Sequence, residues 1–546
     1  MTIKANYIDI KNKTIFPVSM VVENKKIYSI TKIDEKLETY ILPGFIDSHI
    51  HIESSMLIPS EFARIAVTHG TVATLSDPHE IANILGVKGV EFMLENAEKV
   101  NFNFNFGVSP CVPATPFETS GATLDSTTVK ELLKNPKFKH LSEVMAFPSV
   151  VANDPEIMAK IRYAKELNIP IDGHAPMLSG DDLKKYIDAG ISTDHEASSY
   201  GEAKEKLELG MKILIREGSA AKNYEALSPL IESYSDMLMF CSDDKHPNDL
   251  LEGHINELVV KSIAKGYDIF DVLKIACINP KEHYNLDLGL LRVGDKADFI
   301  EVEDLESFKI IRTFIDGEIV SENSKTKINS VKVDSINNFH ARKTAPSDFV
   351  FESGCDEVEV IQAIDHELFT LEKIHHTYKD RTFGVDTVED ILKITVINRY
   401  ENLGTTKPAI AFVKGFGLKK GAIASCVAHD SRNIIAVGCS DDEISRAVNL
   451  LIESKGGISA VDGEKTLHLP LDVAGIMSSG DAYEVAQKYD EIDKFSKEVL
   501  LSTLSAPFMT LSFMALLVIP EIKLSDKGLF DGKEFHFIPS CVKLDK

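Results

Sequence analysis

Two histidines at the end of an apolar run are the first residues that could carry out chemistry. His49 and His51 close the run Tyr40-Ile-Leu-Pro-Gly-Phe-Ile-Asp-Ser-His-Ile-His. Side chains two positions apart in a strand point to the same face, so two imidazoles at a strand end can bind one metal ion. A bare His-x-His is more often a pair of surface histidines. Residues further along the chain decide between the two interpretations.

Further metal-capable side chains recur where later apolar runs end. Taken singly, each has a structural explanation; Asp243, for example, could cap a helix. Together they supply imidazole nitrogens and carboxylate oxygens, the ligands that suit Zn²⁺, Mn²⁺ or Fe²⁺. Because six ligands exceed what one tetrahedral ion uses, the set predicts two bridged divalent ions. The predicted set is His49, His51, Glu143, His174, His195 and Asp243.

These side chains need elements that bring them to one face. Eight short apolar runs appear, most followed by a helix-like stretch, and this alternation predicts a parallel sheet. Eight such units in about 240 residues match a (β/α)₈ TIM-like barrel, whose carboxyl strand ends form the active face. An open doubly wound sheet is the rival, but no Gly-x-Gly-x-x-Gly or Walker-type loop is present. The runs cover 42–50, 70–77, 101–106, 141–147, 169–173, 190–194, 211–215 and 237–242.

The remaining chain predicts an α/β protein with two smaller units beside the barrel. Short β-type runs flank the barrel on both sides, and they are expected to form one small β-domain. A polar stretch rich in Ser, Lys and Asn then precedes a C-terminal α/β region. The predicted divisions are 1–42 and 286–322 for the small β-domain, 43–285 for the barrel, 323–348 for a connection and 349–546 for the C-terminal α/β domain.

Composition excludes several classes of protein. The 546 residues carry a formal net charge of -25, which argues against a nucleic-acid groove. The N-terminus has no apolar signal core and the longest apolar stretch is too short for a bilayer, so a cytoplasmic protein without membrane contact is expected. No Cys-x-x-Cys occurs, which excludes the single-zinc deaminases that use paired cysteines.

Longer motifs carry a family resemblance. The segment Pro43-Gly-Phe-Ile-Asp-Ser-His-Ile-His51, with later single histidines and an aspartate after the eighth run, resembles the amidohydrolase superfamily. Asp77-Pro-His-Glu80, Asp172-Gly-His-Ala-Pro176 and Thr193-Asp-His-Glu196 are more specific and resemble bacterial adenine deaminases. The resemblance covers nearly the whole chain, including Ser425-Cys-Val-Ala-His-Asp-Ser-Arg-Asn433 in the C-terminal region.

The resemblance implies a metal-dependent aminohydrolase of purine salvage. It would convert adenine to hypoxanthine and ammonia, with a metal-activated hydroxide attacking C6 and Asp243 relaying a proton to the leaving amine. Glu143 would bridge two ions, Mn²⁺ or Fe²⁺ with Zn²⁺ as an alternative, and a homo-oligomer is what the family suggests. Another cyclic-amidine or cyclic-amide hydrolase, or a non-catalytic metal-binding paralogue, stays open as an alternative.

The donor to the purine ring is left open among three residues. Related deaminases place a glutamate after the fifth-strand histidine, but here His174 is followed by Ala-Pro-Met-Leu. Glu53, His79 and Glu80 lie on loops of the predicted active face and are the candidates for this role. His429, in the C-terminal region, is interpreted as a surface or structural histidine.

Overall fold

The computed structural model describes residues 1–351, 357–377, 384–401 and 407–542. The chain begins with four strands: β1 (Thr2–Asp9), β2 (Thr14–Glu23), β3 (Lys26–Lys32) and β4 (Tyr40–Pro43). Alternation of buried and exposed side chains along β1 shows that one face of these strands packs on a core while the other faces solvent.

Eight strands follow, and each overlaps one of the eight predicted apolar runs. The first five form one parallel sheet and the last three form another, in sequential order. Most are buried along their whole length, as expected for parallel strands covered by helices. They are β5 (Phe45–Ile50), β6 (Thr71–Ser76), β7 (Asn103–Val108), β8 (His140–Val144), β9 (Ile171–Gly173), β10 (Thr193–Asp194), β11 (Lys212–Arg216) and β12 (Leu238–Cys241).

Backbone hydrogen bonds join the first of these strands to the segment after the last. Asp243 N donates to the carbonyl of His49 at 2.9 Å, and His51 N donates to the carbonyl of Asp243 at 3.2 Å. The two sheets also meet at their other edges, between β9 and β10. There Ser192 N donates to the carbonyl of Ile171 at 2.9 Å. The carboxyl ends of β5 and β12 are therefore held side by side.

Helices cover the outer side of these strands. Several begin at a side-chain cap; Asp154, for example, accepts from the amides of Glu156 and Ile157 at 2.9 and 3.2 Å. A short 3₁₀ helix, Ile52–Ser55, follows β5 directly. The helices of this region are α1 (Pro59–Ala66), α2 (His79–Leu85), α3 (Val87–Ala97), α4 (Ser126–Leu133), α5 (Phe147–Val151), α6 (Pro155–Glu166), α7 (Gly180–Asp188), α8 (Tyr200–Glu208), α9 (Tyr224–Leu227), α10 (Ile231–Tyr234), α11 (Pro247–Glu252), α12 (Ile255–Ala264), α13 (Ile269–Leu273) and α14 (Asn279–His283).

Four later strands return to the N-terminal sheet. These strands are β13 (Phe299–Val302), β14 (Ile310–Ile315), β15 (Glu318–Glu322) and β16 (Lys325–Thr326). Because β13 pairs antiparallel with β4, the two flanks of the parallel region share one eight-stranded sheet.

The C-terminal part of the chain packs directly against the parallel region. Ser478 N donates to the carbonyl of Met56 at 2.7 Å, and Arg64 pairs with Asp481 at 2.7 Å. Buried apolar side chains from both parts form one continuous cluster. Its strands are β17 (Glu357–Gln362), β18 (Leu371–Thr377), β19 (Leu392–Ile397), β20 (Ala409–Lys414), β21 (Ala422–Ser425), β22 (Ile434–Gly438), β23 (Ile458–Asp462), β24 (Lys465–Leu469), β25 (Ile522–Ser525), β26 (Gly528–Asp531), β27 (His536–Phe537) and β28 (Cys541–Val542). Its helices are α15 (Asp441–Ser454), α16 (Ala482–Glu498) and α17 (Pro507–Phe513).

No helix among the described residues combines the length and apolar character needed to cross a membrane.

Candidate metal centre

The six side chains predicted as metal ligands meet at the carboxyl ends of the parallel strands. All six are buried, with exposed fractions of 6% or less. The Nε2 atoms of His49 and His51 lie 3.2 Å apart, and the ring of His195 stacks on that of His49 with centroids 4.0 Å apart. The prediction that these residues lie together agrees with this geometry.

Glu143 lies at the centre of the cluster, between two groups of imidazoles. Its Oε1 is 3.3 Å from Nε2 of His51 and 3.4 Å from Nδ1 of His79. Its Oε2 is 2.8 Å from Nδ1 of His174 and 3.2 Å from Nε2 of His195. Burial disfavours the charged carboxylate, but the surrounding imidazoles outweigh it and hold the pKa of Glu143 well below its usual value. An ionised carboxylate with each oxygen facing a different group of ligands suits a bridge between two cations.

The donor set fits divalent metal ions. His174 Nε2 is buried without a hydrogen-bond partner among the described residues, and Asp77 Oδ2 and His79 Nδ1 face each other at 3.3 Å without the geometry of a hydrogen bond. Unpartnered buried polar atoms are rare in folded proteins and call for a missing ion or water. Three overlapping groups of ligand atoms each lie within 4.8 Å of one another: His51, Asp77, His79 and Glu143; His49, His195 and Asp243; Glu143, His174 and His195.

Asp243 places its two carboxylate oxygens in different surroundings. Oδ1 lies 3.2 Å from Nε2 of His51 and 3.7 Å from Nε2 of His49, while Oδ2 accepts a hydrogen bond from Arg216 at 2.6 Å. Burial and Asp244 disfavour the anion, but Arg216 and His51 outweigh them and lower the pKa of Asp243. Asp243 is therefore an oriented carboxylate whose Oδ1 faces the cluster.

Arg216 and Glu196 belong to this site although the sequence interpretation assigned neither a role. Glu196 lies 3.3 Å from Nε2 of His195 and forms a two-point ion pair with the Arg216 guanidinium. The planar guanidinium group of Arg216 thus donates hydrogen bonds to the carboxylates of both Glu196 and Asp243. A signal was present in the sequence, since Arg216 directly follows the apolar run 211–215 and ends β11, where the other site residues also lie on their strands.

The three candidate ring donors occupy different places. His79 lines the pocket above the cluster. Glu53 is fully buried behind it, where its carboxylate accepts from Ile81 N at 3.3 Å. Burial and the nearby Glu80 raise the pKa of Glu53 to about 8. Glu80 is also fully buried, and it accepts from Ser54 Oγ at 2.8 Å and pairs with Arg432.

A loop of the C-terminal part completes the site. Asp430 Oδ1 lies 3.3 Å from Nε2 of His79. His429 Nε2 lies 3.1 Å from Asp244 Oδ1, and its Nδ1 lies 2.6 Å from Ser512 Oγ. His429 is only 3% exposed, so it is not a surface histidine, and of the two interpretations only the structural one is compatible with its burial. Both loop residues line the pocket.

The metal pocket is a cavity of about 300 Å³. Its charged and imidazole lining comes mainly from the parallel strand ends. Its apolar lining consists of Met145, Leu368 and Leu516. Most of the lining is therefore polar, and the apolar side chains are a minority of it.

Replacement of Asp430 by asparagine tests the contribution of the C-terminal loop. The carboxylate fixes the His79 ring from the side opposite Glu143, and loss of such an outer partner costs about 10–100-fold in metal affinity or activity. We expect an effect of that size in metal titrations and in turnover. Asp442→Asn, an exposed acid on α15 in the same part of the chain, is the matched control. Equal results for the two variants would contradict a role for Asp430.

Comparisons with known proteins define the class first. The amidohydrolase family matches residues 40–320, which include all eight parallel strands and the predicted ligands. The adenine deaminase C-terminal domain matches residues 367–536, which include the loop carrying His429 and Asp430.

Full-length relatives then define the family within that class. The adenine deaminase of Sulfurovum sp. (strain NBC37-1) is 61% identical over 99% of this chain and 100% of its own length. That of the archaeon Methanosarcina mazei is 49% identical over 97% of this chain and 98% of its own, so the resemblance is not confined to bacteria. A β-aspartyl dipeptidase from Fervidobacterium islandicum AW-1 superposes with a TM-score of 0.44 at 18% identity, over 59% of this chain and 97% of its own. The chain belongs to the adenine deaminase family.

Proposed function

We propose that this protein catalyses the hydrolytic deamination of adenine to hypoxanthine and ammonia, a reaction of purine salvage. The observation that carries the proposal is the convergence of four imidazoles with Glu143 and Asp243 at one pocket. Relatives named adenine deaminase match the chain from end to end, which supports the same substrate here.

The proposal includes two divalent metal ions, Mn²⁺ or Fe²⁺ with Zn²⁺ as an alternative. When bound, such ions would supply an activated water at neutral pH and stabilise developing negative charge. The residues that would hold them are His49, His51, Glu143, His174, His195 and Asp243. Asp77 lies within reach of the same cluster and is a further candidate.

Asp243 is the proposed proton carrier. Because Arg216 occupies Oδ2, the Oδ1 that faces the cluster would take a proton from the water molecule that adds to C6 and deliver it to the amino nitrogen as ammonia leaves. Arg216 would keep the carboxylate in this orientation during both proton transfers. The proton taken and the proton given balance, so Asp243 ends each cycle ionised.

His79 is the proposed donor to the purine ring. Addition at C6 places negative charge on a ring nitrogen, and a hydrogen-bond donor facing that nitrogen stabilises it. Of the three candidates, His79 is the one that lines the pocket. Glu53 and Glu80 would act behind it by fixing the 3₁₀ turn and the start of α2.

The architecture proposed for this chemistry is a closed (β/α)₈ barrel at 43–285. The hydrogen bonds between His49 and Asp243 and between Ile171 and Ser192 support closure of the two parallel sheets into one ring. The flanking β-domain of 1–42 and 286–322, the connection of 323–348 and the C-terminal domain of 349–546 complete the proposed layout.

A turnover assay combined with metal analysis tests the proposed function. Purified protein, loaded separately with Mn²⁺, Fe²⁺ and Zn²⁺, would be incubated with adenine and a panel of cyclic amidines and amides. We expect the ultraviolet spectrum of adenine to change to that of hypoxanthine, with equimolar ammonia and about two ions per chain. Turnover of another panel member with adenine left intact would contradict the proposal, as would inactivity with every metal.

A further inference from the structure

A second cavity lies directly outside the metal pocket. It has a volume of about 500 Å³, and its lining includes Met177 and His366, whose exposed fractions show that it opens to solvent. Two residues, Glu196 and Leu368, line both this outer pocket and the metal pocket. They form the partition between the two cavities.

The two halves of the partition differ in how firmly they are held. Glu196 is fixed by its two-point ion pair with Arg216, and its position is coupled to the histidine cluster. Leu368 is an uncharged side chain contributed by residues 363–370, a strap of turns without helix or strand that leaves β17. The size of the opening between the pockets therefore depends on the Leu368 side chain.

Hydrogen bonds to its backbone set the position of this strap. Lys523 is buried, and its Nζ donates to the carbonyl of Leu368 at 2.6 Å. Thr370 N donates to the carbonyl of Pro520 at 3.1 Å, and Ser505 N donates to Asp365 at 3.0 Å. Because these bonds use the backbone and Asp365, a smaller side chain at position 368 leaves the anchors of the strap in place.

The outer pocket combines apolar and polar walls that could surround a small polar substituent such as a sugar. Pro176, Phe369 and Ile519 are apolar, Ser198 adds a hydroxyl group, and charged side chains complete the lining: Glu196, Arg216, Lys222 and Glu367. No ligand of the metal cluster lines this pocket. It could therefore hold a substituent but not the reacting atoms.

The orientation of a purine in the metal pocket connects the two cavities. Its C6 amino group must face Asp243 and the histidines, and N9 lies at the opposite end of the fused rings. A substituent on N9 would therefore point away from the cluster, and the partition is the wall at which the metal pocket adjoins a second cavity.

We propose that Leu368 is a specificity-determining residue that restricts the substrate to purines without an N9 substituent, and that the outer pocket is the subsite that would accept such a substituent if Leu368 were smaller. This inference rests on the proposed adenine deaminase function. It concerns only which purines enter and leaves the reacting groups unchanged.

The test compares adenine with 9-methyladenine, 9-ethyladenine and adenosine in the metal-loaded full-length protein. The readout is the ratio of kcat/KM for each N9-substituted purine to that for adenine. One methylene group in an apolar pocket changes discrimination by about 10–200-fold, so we expect Leu368→Ala to raise the 9-ethyladenine ratio at least about tenfold. Leu368→Val is the milder second variant, with a smaller rise. Leu516→Ala is the control, because Leu516 lines the metal pocket but not the outer pocket, and its ratio should stay near that of the wild type.

Several results would overturn the inference. The first is an unchanged ratio in both Leu368 variants while adenine is still turned over. An equal rise in Leu516→Ala would remove the special role of Leu368, and so would wild-type turnover of 9-ethyladenine at the rate of adenine. Loss of adenine turnover in both Leu368 variants, with metal content and melting temperature retained, would also contradict it. A wild-type protein that turns over none of these purines would instead refute the proposed function.

Discussion

Asp243→Asn is expected to lower kcat for adenine by about 10²–10⁴-fold, the usual contribution of a positioned general acid or base. Asparagine has the shape of aspartate and can still accept the hydrogen bond from Arg216, but it cannot take up a proton at Oδ1. Arg216 also keeps its ion pair with Glu196, so the local geometry should persist. The measurement is steady-state turnover at saturating adenine, with metal content determined on the same sample.

Asp47→Asn is a suitable comparison for this variant. Asp47 is equally buried and accepts hydrogen bonds from Ser242 N at 3.1 Å and from His254 Nε2 at 2.7 Å, but it does not line the pocket. A structural role predicts a lower melting temperature and near-normal kcat per folded, metal-loaded molecule. If Asp243→Asn behaved in that way, or turned over adenine within about threefold of the wild type, Asp243 would not be the proton carrier.

The parallel strands could be predicted from sequence because their signal is local. The run at 237–242 matches β12 (Leu238–Cys241) closely, since a short apolar run bounded by polar residues is typical of a buried strand. The predicted run at 101–106 begins and ends two residues before β7 (Asn103–Val108), because the strand continues through Gly107 and Val108 after the Phe-Asn alternation ends. Strand ends are the least certain feature of such predictions.

The closeness of the six proposed ligands was also predictable, since parallel strands bring their carboxyl ends to one face. The residues that the C-terminal part contributes to the site could not be predicted in this way. Asp430 is 351 positions from His79 in sequence, and no periodic pattern links the two. His429 and Asp430 enter because the C-terminal part packs over the strand ends, a tertiary contact that hydrophobic patterning does not encode.

The roles suggested for Glu53 and Glu80 show a second limit. Both residues follow the carboxyl end of a parallel strand in the sequence, which predicts that they face the site. The 3₁₀ turn Ile52–Ser55 instead directs Glu53 towards the amide of Ile81. Arg432, from the C-terminal loop, pairs with Glu80 and keeps it fully buried. A charged partner contributed by a distant segment thus decides whether an acid faces the pocket or supports it from behind.

Glu143→Gln is expected to reduce the bound metal from about two ions to about one per chain. Glutamine has one carbonyl oxygen, so its side chain can offer a ligand atom to only one of the two ions. That ion would be the one near His51 and His79 or the one near His174 and His195. It also removes the negative charge that the surrounding imidazoles stabilise. We expect adenine turnover to fall by more than about 100-fold, beyond the effect of losing an outer partner.

Glu196→Gln is the matched variant for this prediction, because Glu196 is a buried acid that also lies near His174 and His195 but is bonded to Arg216. Since Glu196 supports the ligands from outside, its replacement should leave metal content near two per chain and lower activity by about 10–100-fold. Melting temperature with and without added metal gives a readout independent of turnover, because an ion that binds only the folded state raises it. A metal-induced rise in Glu143→Gln as large as in the wild type, with two ions bound, would show that Glu143 does not bridge them and that the two halves of the cluster bind their ions separately.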